Sequence, residues 1–306
     1  MDSGTVRLPE RFVERLRGLL PRELFRSVLE TFALPKAPVA RINTLKASPE
    51  ALLEELRTLG FHPEPLDWSP LLLRFPLAER SALVESGPVR CGFLYLQNPS
   101  SVLAVELLGP KPGERVLDLC AAPGGKTSHI AQKMENRGEL VAVEPVRERF
   151  YKLKANLRRL GIGNVRLYRM DGRKIGYRDH FDRVLVDAPC SAEGCFSLLE
   201  PETLRYWSPR KVGECRHKQI GLLLAGLRAL KPDGRLLYCT CTFAPEENEE
   251  VVEAALRRWR GPPLRLLPIG DLPAAFLPGR GLPETGRILP DSLFQGFFLA
   301  LFTKEG

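Results

Sequence analysis

The hydrophobic and polar positions change rhythm about a third of the way along the chain. From about residue 110, short apolar runs alternate with helical stretches. The runs are Arg115–Leu119, Leu140–Glu144, Val165–Tyr168, Arg183–Asp187 and Arg235–Cys239, each bounded by Gly, Pro, Asn or charge. Unbroken apolar character of this length suits strands buried on both faces. Helices are predicted at 145–160, 209–230 and 245–258; the last opens with Pro245, closely followed by Glu246, Glu247 and Glu249, which suit a helix N-terminus. Alternating strand and helix predicts an α/β fold with a parallel sheet and right-handed crossovers. Gly296–Thr303 adds a final strand, and the Pro- and Gly-rich stretch 261–295 reads as irregular covering loops.

The first hundred residues have another texture. Helices are expected at 9–20 and 22–33, a strand at Val39–Asn43, and a further helix from Ser48-Pro49-Glu50, with Ser as the cap and Pro in the first turn. These features predict a small α+β accessory domain over residues 1–100, a hinge near 97–112, and a second domain over 101–306.

With 306 residues, 44% of them hydrophobic and 27% charged, the chain has enough material for one or two packed cores. No apolar run approaches the roughly 20 residues that span a bilayer. The opening stretch MDSGTVRLPERFVERLRGLL is charged throughout, unlike a signal peptide, so a cytoplasmic location is expected. Seven cysteines, an odd number with no Cys-x-x-Cys pair, and four scattered histidines argue against both a disulfide framework and zinc. Cys91, Cys195 and Cys215 read as inert small hydrophobes. The net charge of +8 favours an anionic partner, and its distribution sharpens that. Residues 147–183 hold twelve Lys or Arg against four acids, and Arg205, Arg210, Lys211, Arg216 and Lys218 flank Tyr206 and Trp207. Solvated helix faces explain either cluster alone; together they suit phosphate contacts.

Asp118-Leu-Cys-Ala-Ala-Pro-Gly-Gly-Lys-Thr127 follows the first strand of the second region and opens a helix. A Walker loop needs glycine where Cys120 stands, and only two adjacent glycines rule out the dinucleotide pattern. A tight turn remains, whose glycines let another molecule approach the backbone. The next three strands end at or near Glu144, Asp171 and Asp187. Acids there face the crevice of a doubly wound sheet, where Glu144 suits ribose hydroxyls. A nucleoside without pyrophosphate fits best, and S-adenosylmethionine is the natural choice.

Two cysteine segments reach the same crevice, Asp187-Ala-Pro-Cys190 and Tyr238-Cys-Thr-Cys-Thr242. Cys241 lies at the rim, with Cys239 one pleat deeper. A thiol is useful beside a cytosine: its addition to carbon 6 turns carbon 5 into an enamine-like nucleophile able to attack a sulfonium methyl. Asp187 is placed to hold ring nitrogen 3 and the exocyclic amine.

The segments DLCAAPGGKT (118–127), VAVEPVRERF (141–150), MDGR (170–173), DAPCSAEG (187–194), LYCTCTFAPEENE (237–249) and QGFFLALF (295–302) resemble the RsmB/Nop2/Sun (NSUN) family of RNA 5-methylcytosine methyltransferases. LPERFVERLRGLLP and ARINTLK (40–46) resemble its N-terminal RNA-binding region. The resemblance implies a Rossmann-like class I methyltransferase sheet with a small α+β N-terminal RNA-binding domain. It implies Cys241 as the covalent nucleophile and Cys190 as the cysteine that aids product release. It implies S-adenosylmethionine as cofactor, held by Cys120, Ala121, Ala122, Pro123, Gly124, Gly125 and Lys126 with Glu144, Arg149, Asp171 and Asp187. Lys126 also falls near the reacting centre. Choosing Cys241 over Cys190 rests on this resemblance, not on spacing. Ala192, Cys239 and Gln295 stand where the family commonly has Gly, Ser and Asp; Ala192 bears on the mobility of the loop behind Cys190.

The expected partner is RNA, with ribosomal RNA ahead of transfer RNA, bound by a monomer without metal or membrane. A non-catalytic RNA-binding or ribosome-assembly factor of the same fold is the contrasting reading, and the intact Cys190, Cys241 and Asp187 speak against it. A DNA cytosine methyltransferase would use the Pro-Cys cysteine, and a small-molecule methyltransferase leaves two thiols and two basic clusters unexplained.

Overall fold

The computed structural model describes residues 6–306; the first five residues of the opening stretch, read above for targeting, lie outside the described residues. Helices α1 (Glu10–Leu19) and α2 (Arg22–Thr31) each begin just after a proline, Pro9 and Pro21. Their apolar stripes bury Phe12, Leu16 and Val28, joined by Phe32, against Phe196, Phe243 and Leu289 of the C-terminal region. The N-terminal helices are therefore built onto the loops of the larger sheet.

A small antiparallel sheet follows, made of β1 (Val39–Ile42), β2 (Glu64–Leu66), β3 (Ser69–Arg74) and β4 (Leu94–Leu96) in the order β2-β3-β1-β4. With it go α3 (Pro49–Thr58), α4 (Arg80–Glu85) and α5 (Gly87–Arg90). Ser48 occupies the cap position of α3, but its hydroxyl donates to the Glu50 carboxylate at 2.7 Å and caps no backbone N–H. The expected hinge is α6 (Pro99–Leu108), capped by Asn98, whose side chain accepts from Ser100 N at 2.9 Å, and closed by Gly109 at φ 61°. Apolar side chains surround this helix; Val102, Leu103, Ala104, Val105 and Leu108 are all buried, as in a core helix rather than an exposed linker.

The larger sheet comprises, among the described residues, nine strands: β5 (Arg115–Asp118), β6 (Glu139–Val143), β7 (Val165–Tyr168), β8 (Phe181–Asp187), β9 (Leu230–Thr240), β10 (Leu264–Leu267), β11 (Phe276–Gly279), β12 (Leu282–Ile288) and β13 (Phe297–Lys304). Its order is β11-β12-β13-β9-β8-β5-β6-β7, with β10 also paired to β13. Strands β5 to β9 run parallel, and β13 lies antiparallel beside β9. Helices α7 (Gly125–Lys133), α8 (Arg147–Arg159), α9 (Pro209–Ala229) and α10 (Glu249–Arg258) complete the Rossmann-like α/β architecture.

Two expectations change here. The stretch 261–295 contains β10, β11 and β12, short strands on the antiparallel flank, where prolines such as Pro278 and Pro283 are tolerated at strand ends and edges. The helix expected at 245–258 breaks at Asn248 (φ −111°, ψ −100°) into a 3-10 turn, Pro245–Glu247, and then α10.

Arg41 of β1 joins the two sheets. Its guanidinium is buried and donates to Gln97 Oε1 at 3.0 Å, to Ser128 Oγ of α7 at 2.8 Å, and to Gln132 of the same helix. Gln132 in turn donates to the Ile42 carbonyl at 3.1 Å. Arg41→Met keeps much of the volume but leaves three buried acceptors unpaired. It is expected to lower the unfolding free energy by about 3 kcal/mol in urea titrations, because hydrogen bonds to a charged group contribute more than neutral ones. An unchanged midpoint would show that this contact does not hold the sheets together.

Candidate active site

The parallel strands end together at one edge, and the chain turns there carry the chemistry. A cavity of about 520 Å³ opens at this edge, lined by Cys120, Ala122, Glu144, Arg149, Asp171, Asp187, Cys190 and Cys241 among others. The three strand-end acids therefore converge as expected. Glu144 is buried; one oxygen accepts from Val146 N at 2.8 Å and the other lies 3.6 Å from Arg149. Asp171 caps a 3-10 turn and takes the Arg173 guanidinium, whose hydrogen bonds hold its pKa below the usual carboxylate range. Arg149, Arg173 and Lys218 bring both basic clusters to the rim.

The glycine loop lies beside this cavity. Ala121, Pro123, Gly125 and Lys126 line a smaller adjoining one with Tyr95, Gln97 and Asp118. Thr127 Oγ1 donates to Asp118 at 2.7 Å, Arg149 to the Ala122 carbonyl at 2.8 Å, and Asn156 to the Pro123 carbonyl at 2.9 Å. The glycines serve packing as well as approach. Gly124 sits at φ 108°, where a Cβ would stand 3.1 Å from Leu153 of α8, and a Cβ on Gly125 would stand 3.0 Å from the Tyr95 ring. Burial, reinforced by Asp187, pushes the Asp118 carboxyl up to about 6 against the pull of Thr127.

Strands β8 and β9 are parallel neighbours with Asp187 opposite Cys239, so the turns beyond them meet. Cys190 Sγ lies 3.2 Å from Cys241 Sγ. Asp187 Oδ2 accepts from Lys126 Nζ at 2.7 Å, and Oδ1 lies 3.5 Å from the sulfur of buried Cys239. Burial works against the Lys126 charge, but Asp187 outweighs it and raises the pKa, so Lys126 is an ammonium and no base at neutral pH. The contact with the Cys190 thiol draws the Cys241 pKa down. Contact with Cys195, burial and Asp187 oppose this, and the net for Cys241 is well above an ordinary thiol. Cys190 is raised by that same bond and then by burial.

A family model described as 16S rRNA methyltransferase RsmB/F matches residues 105–303. The chain belongs to this family. It is 36% identical over 314 residues to the Ribosomal RNA small subunit methyltransferase F of Cronobacter sakazakii, covering 98% of this chain and 64% of that protein. The protein of the same name from Klebsiella pneumoniae is 35% identical, with 99% of this chain and 65% of the relative covered. The chain thus spans just under two thirds of the length of these curated relatives. Among solved structures, NSun6 from Pyrococcus horikoshii with SFG superimposes with a TM-score of 0.84 at 25% identity, covering 97% of this chain and 98% of the other. A methyltransferase homolog protein from Pyrococcus horikoshii gives a TM-score of 0.77 at 31% identity, covering 97% and 100%.

Several residues that organise this RsmB/F site escaped the sequence reading. Glu193 is wholly buried and accepts from Arg15 at 2.6 Å, Trp207 Nε1 at 2.9 Å, Thr242 Oγ1 at 3.0 Å and Phe243 N at 3.1 Å. Trp207 is thereby anchored, partly buried against the Phe12 and Phe196 rings, whereas Tyr206 is 76% exposed. Glu247 accepts from Ser191 N at 3.0 Å and Gln219 Nε2 at 2.7 Å. Asn248 donates to the Thr242 carbonyl at 2.9 Å and accepts from Thr240 Oγ1 at 2.6 Å. The glutamates after Pro245 are thus not all dipole partners of a helix, for Glu247 and Glu249 are buried ligands. Cys195, read as inert, lies 3.6 Å from Gln295 Oε1 and follows Gly194, whose N–H donates to the Cys241 carbonyl at 2.9 Å. Ala192 is left-handed at φ 59°, ψ 28°, a conformation that costs an alanine roughly 1–2 kcal/mol relative to its usual regions. The charged members of the EEN and AEG triplets were the available signal, since acids inside an apolar motif ask for buried partners.

Burial, with Glu193 close by, lifts the Glu247 carboxyl to about 7 despite its bonds to Ser191 and Gln219. The folded state therefore favours the protonated acid. Its stabilising contribution is complete below the ordinary value of 4.5 and is lost as pH rises to about 7. Thermal melts of wild type and Glu247→Gln should diverge across this window, with wild type losing ground as pH rises and the gap level above it. Parallel melting curves across the window would contradict the assigned titration.

Proposed function

We propose that this chain is an S-adenosylmethionine-dependent RNA methyltransferase acting on carbon 5 of a cytosine, with small-subunit ribosomal RNA as substrate. Residues 1–100 supply accessory RNA contacts and 101–306 the methyl transfer. The observation that carries this reading is the 3.2 Å approach of Cys190 and Cys241 at the rim of a cavity shared with Asp187. Family membership supports the activity, and the relatives' names support the RNA.

The cavity suits the cofactor in size and polarity. At about 520 Å³ it falls within the usual range for small-molecule sites, and the buried Glu144 carboxylate is held rigidly at its wall for ribose hydroxyls. Cys120, Ala121, Ala122, Pro123, Gly124, Gly125, Lys126, Glu144, Arg149, Asp171 and Asp187 are the residues assigned to hold it. S-adenosylmethionine supplies an electrophilic methyl on a sulfonium when bound.

Cys241 is a thiol at rest, and as the base arrives its proton passes, in net, to ring nitrogen 3 of the cytosine. Hydrogen bonding from Cys190 then stabilises the thiolate, which bonds to carbon 6 as the ring's 5,6 π electrons move onto the base. Asp187, locked by Lys126, holds ring nitrogen 3 and the exocyclic amine and steadies the protonated adduct. Carbon 5 takes the methyl as the sulfonium sulfur keeps the bonding pair and becomes a neutral thioether. The carbon-5 proton passes to water, and the electron pair left behind forms the 5,6 double bond and expels the Cys241 thiolate, which takes back the nitrogen-3 proton. Cys190 assists that release, a role supported by its 3.2 Å approach to Cys241.

Trapping of intermediates tests the roles. With cofactor and RNA, Cys190→Ala should accumulate a covalent protein–RNA adduct on denaturing gels and lose turnover by about 10²–10⁴-fold, the range for a lost proton-transfer group. Cys241→Ala should form no adduct and no 5-methylcytosine. Methylation by Cys241→Ala would sink the assignment.

A further inference from the structure

The opposite edge of the large sheet carries a feature that the methyl-transfer chemistry does not use. Where β8 and β9 begin and α9 and α10 end, a cavity of about 320 Å³ is lined by Arg178, Arg228, Arg258, Arg260, Trp259 and Lys304, with Asp179 as the one acid. Strand β8 separates this edge from Asp187, so the cavity is roughly 20 Å from the thiols at about 3.3 Å per strand residue.

Arginines at helix C-termini are common because the last carbonyls attract cations. Here those carbonyls are already engaged. In α9, the Leu227 carbonyl accepts from Lys304 Nζ at 3.3 Å, Arg228 from Asp179 N at 3.0 Å, and Ala229 from His180 N at 2.9 Å. At the end of α10, the Ala255 carbonyl accepts from Trp259 N at 2.9 Å and Arg257 from Arg260 Nη1 at 2.9 Å. The Lys304 ammonium is buried and paired with Asp179. Arg178, Arg228 and Arg258 have no ion pair or side-chain hydrogen bond among the described residues, yet they share one concave surface. Like charges so gathered repel, and an anion relieves them. Guanidinium forks match phosphate oxygens in particular. Trp259 adds an aromatic wall fixed in place, with its Nε1 donating to the Pro262 carbonyl at 2.7 Å and Lys304 lying 5.9 Å from its ring centroid.

We propose that this arginine-lined cavity is a second RNA-contact site, holding backbone phosphates of a segment remote from the target cytosine. It rests on the reading of the substrate as RNA. Arg178, Arg228 and Arg258 take the phosphates, and Trp259 offers a face on which a neighbouring base stacks. The shared chemistry with a free nucleotide is the phosphate group, and the test separates the two.

Affinity for a fluorescein-labelled small-subunit rRNA transcript is measured by anisotropy across a potassium chloride series for wild type, an Arg178→Ala, Arg228→Ala, Arg258→Ala triple variant, and the corresponding triple Lys variant. Losing three phosphate contacts should make the log–log salt slope shallower by about 2–3, and the Lys variant should recover most of it. KM for RNA should rise while kcat at saturating RNA and the melting temperature stay unchanged. If the alanine variant fails to fold, single charge reversals such as Arg228→Glu read the same slope one contact at a time. Equal slopes for wild type and variant overturn the site. Stabilisation of wild type but not the variant by AMP, with equal RNA slopes, assigns the cavity to a free nucleotide and overturns the RNA contact. A wild type that binds no RNA at all overturns the substrate reading itself, which is a different failure from a wild type and variant that bind alike.

Discussion

A carboxylate with no exposed surface cannot remain in a protein interior unless donors surround it, and Glu193 has four of them. Arg15 comes from α1, Trp207 from the segment before α9, and Thr242 and the Phe243 amide from the turn that carries Cys241. The four partners come from three parts of the chain, so satisfying one buried charge fixes three segments at once. Its cost of burial is offset only while all four bonds are made. The N-terminal helix is consequently part of what shapes the thiol turn, not an appendage beside it. Phe12 packed against Phe196 and Phe243 extends the same connection through apolar contact.

Next to it, Glu247 performs a parallel task for the other thiol. It takes the Ser191 amide just after Cys190, while Ser191 Oγ meets Thr242 Oγ1 at 2.8 Å across the two turns. Gly194 and Gly296 then meet backbone to backbone, with Gly194 N donating to the Cys241 carbonyl at 2.9 Å and Gly296 N to the Gly194 carbonyl at 3.2 Å. A Cβ on Gly194 would stand 2.0 Å from the Gly296 carbonyl oxygen. The sulfur contact is thus the visible end of a network that leaves neither turn free to drift.

The electrostatic design follows from the same geometry. Parallel strands bring their C-terminal ends to one edge, so Glu144, Asp171 and Asp187 gather there, with Lys126 as the cation that keeps Asp187 oriented. Burial and the contact between the two sulfurs leave both the Cys190 and Cys241 thiols with pKa values well above an ordinary thiol. At the far edge helix C-termini and arginines gather with Asp179 as the one acid, whereas the first edge mixes three carboxylates with basic side chains.

Alternation of apolar runs with helical stretches was enough to read the parallel sheet, because strands buried on both faces need continuous hydrophobicity. Residue type and strand-end position were enough to gather the acids and both cysteine segments at one crevice. What the chain alone left undecided depends on contacts between residues far apart in sequence. Short flank strands with prolines, such as β11 and β12, look like loops until β13 gives them a ladder. The apolar character of α6 marks it as core only once α7 and β9 are beside it. Glu247 resembles a helix-starting acid until Ser191 and Gln219 reach it. Local sequence determined the elements and the chemical groups, since propensity and period act over a few residues. Only the tertiary structure decided which buried charge meets which donor, because that pairing is set by packing across the whole chain.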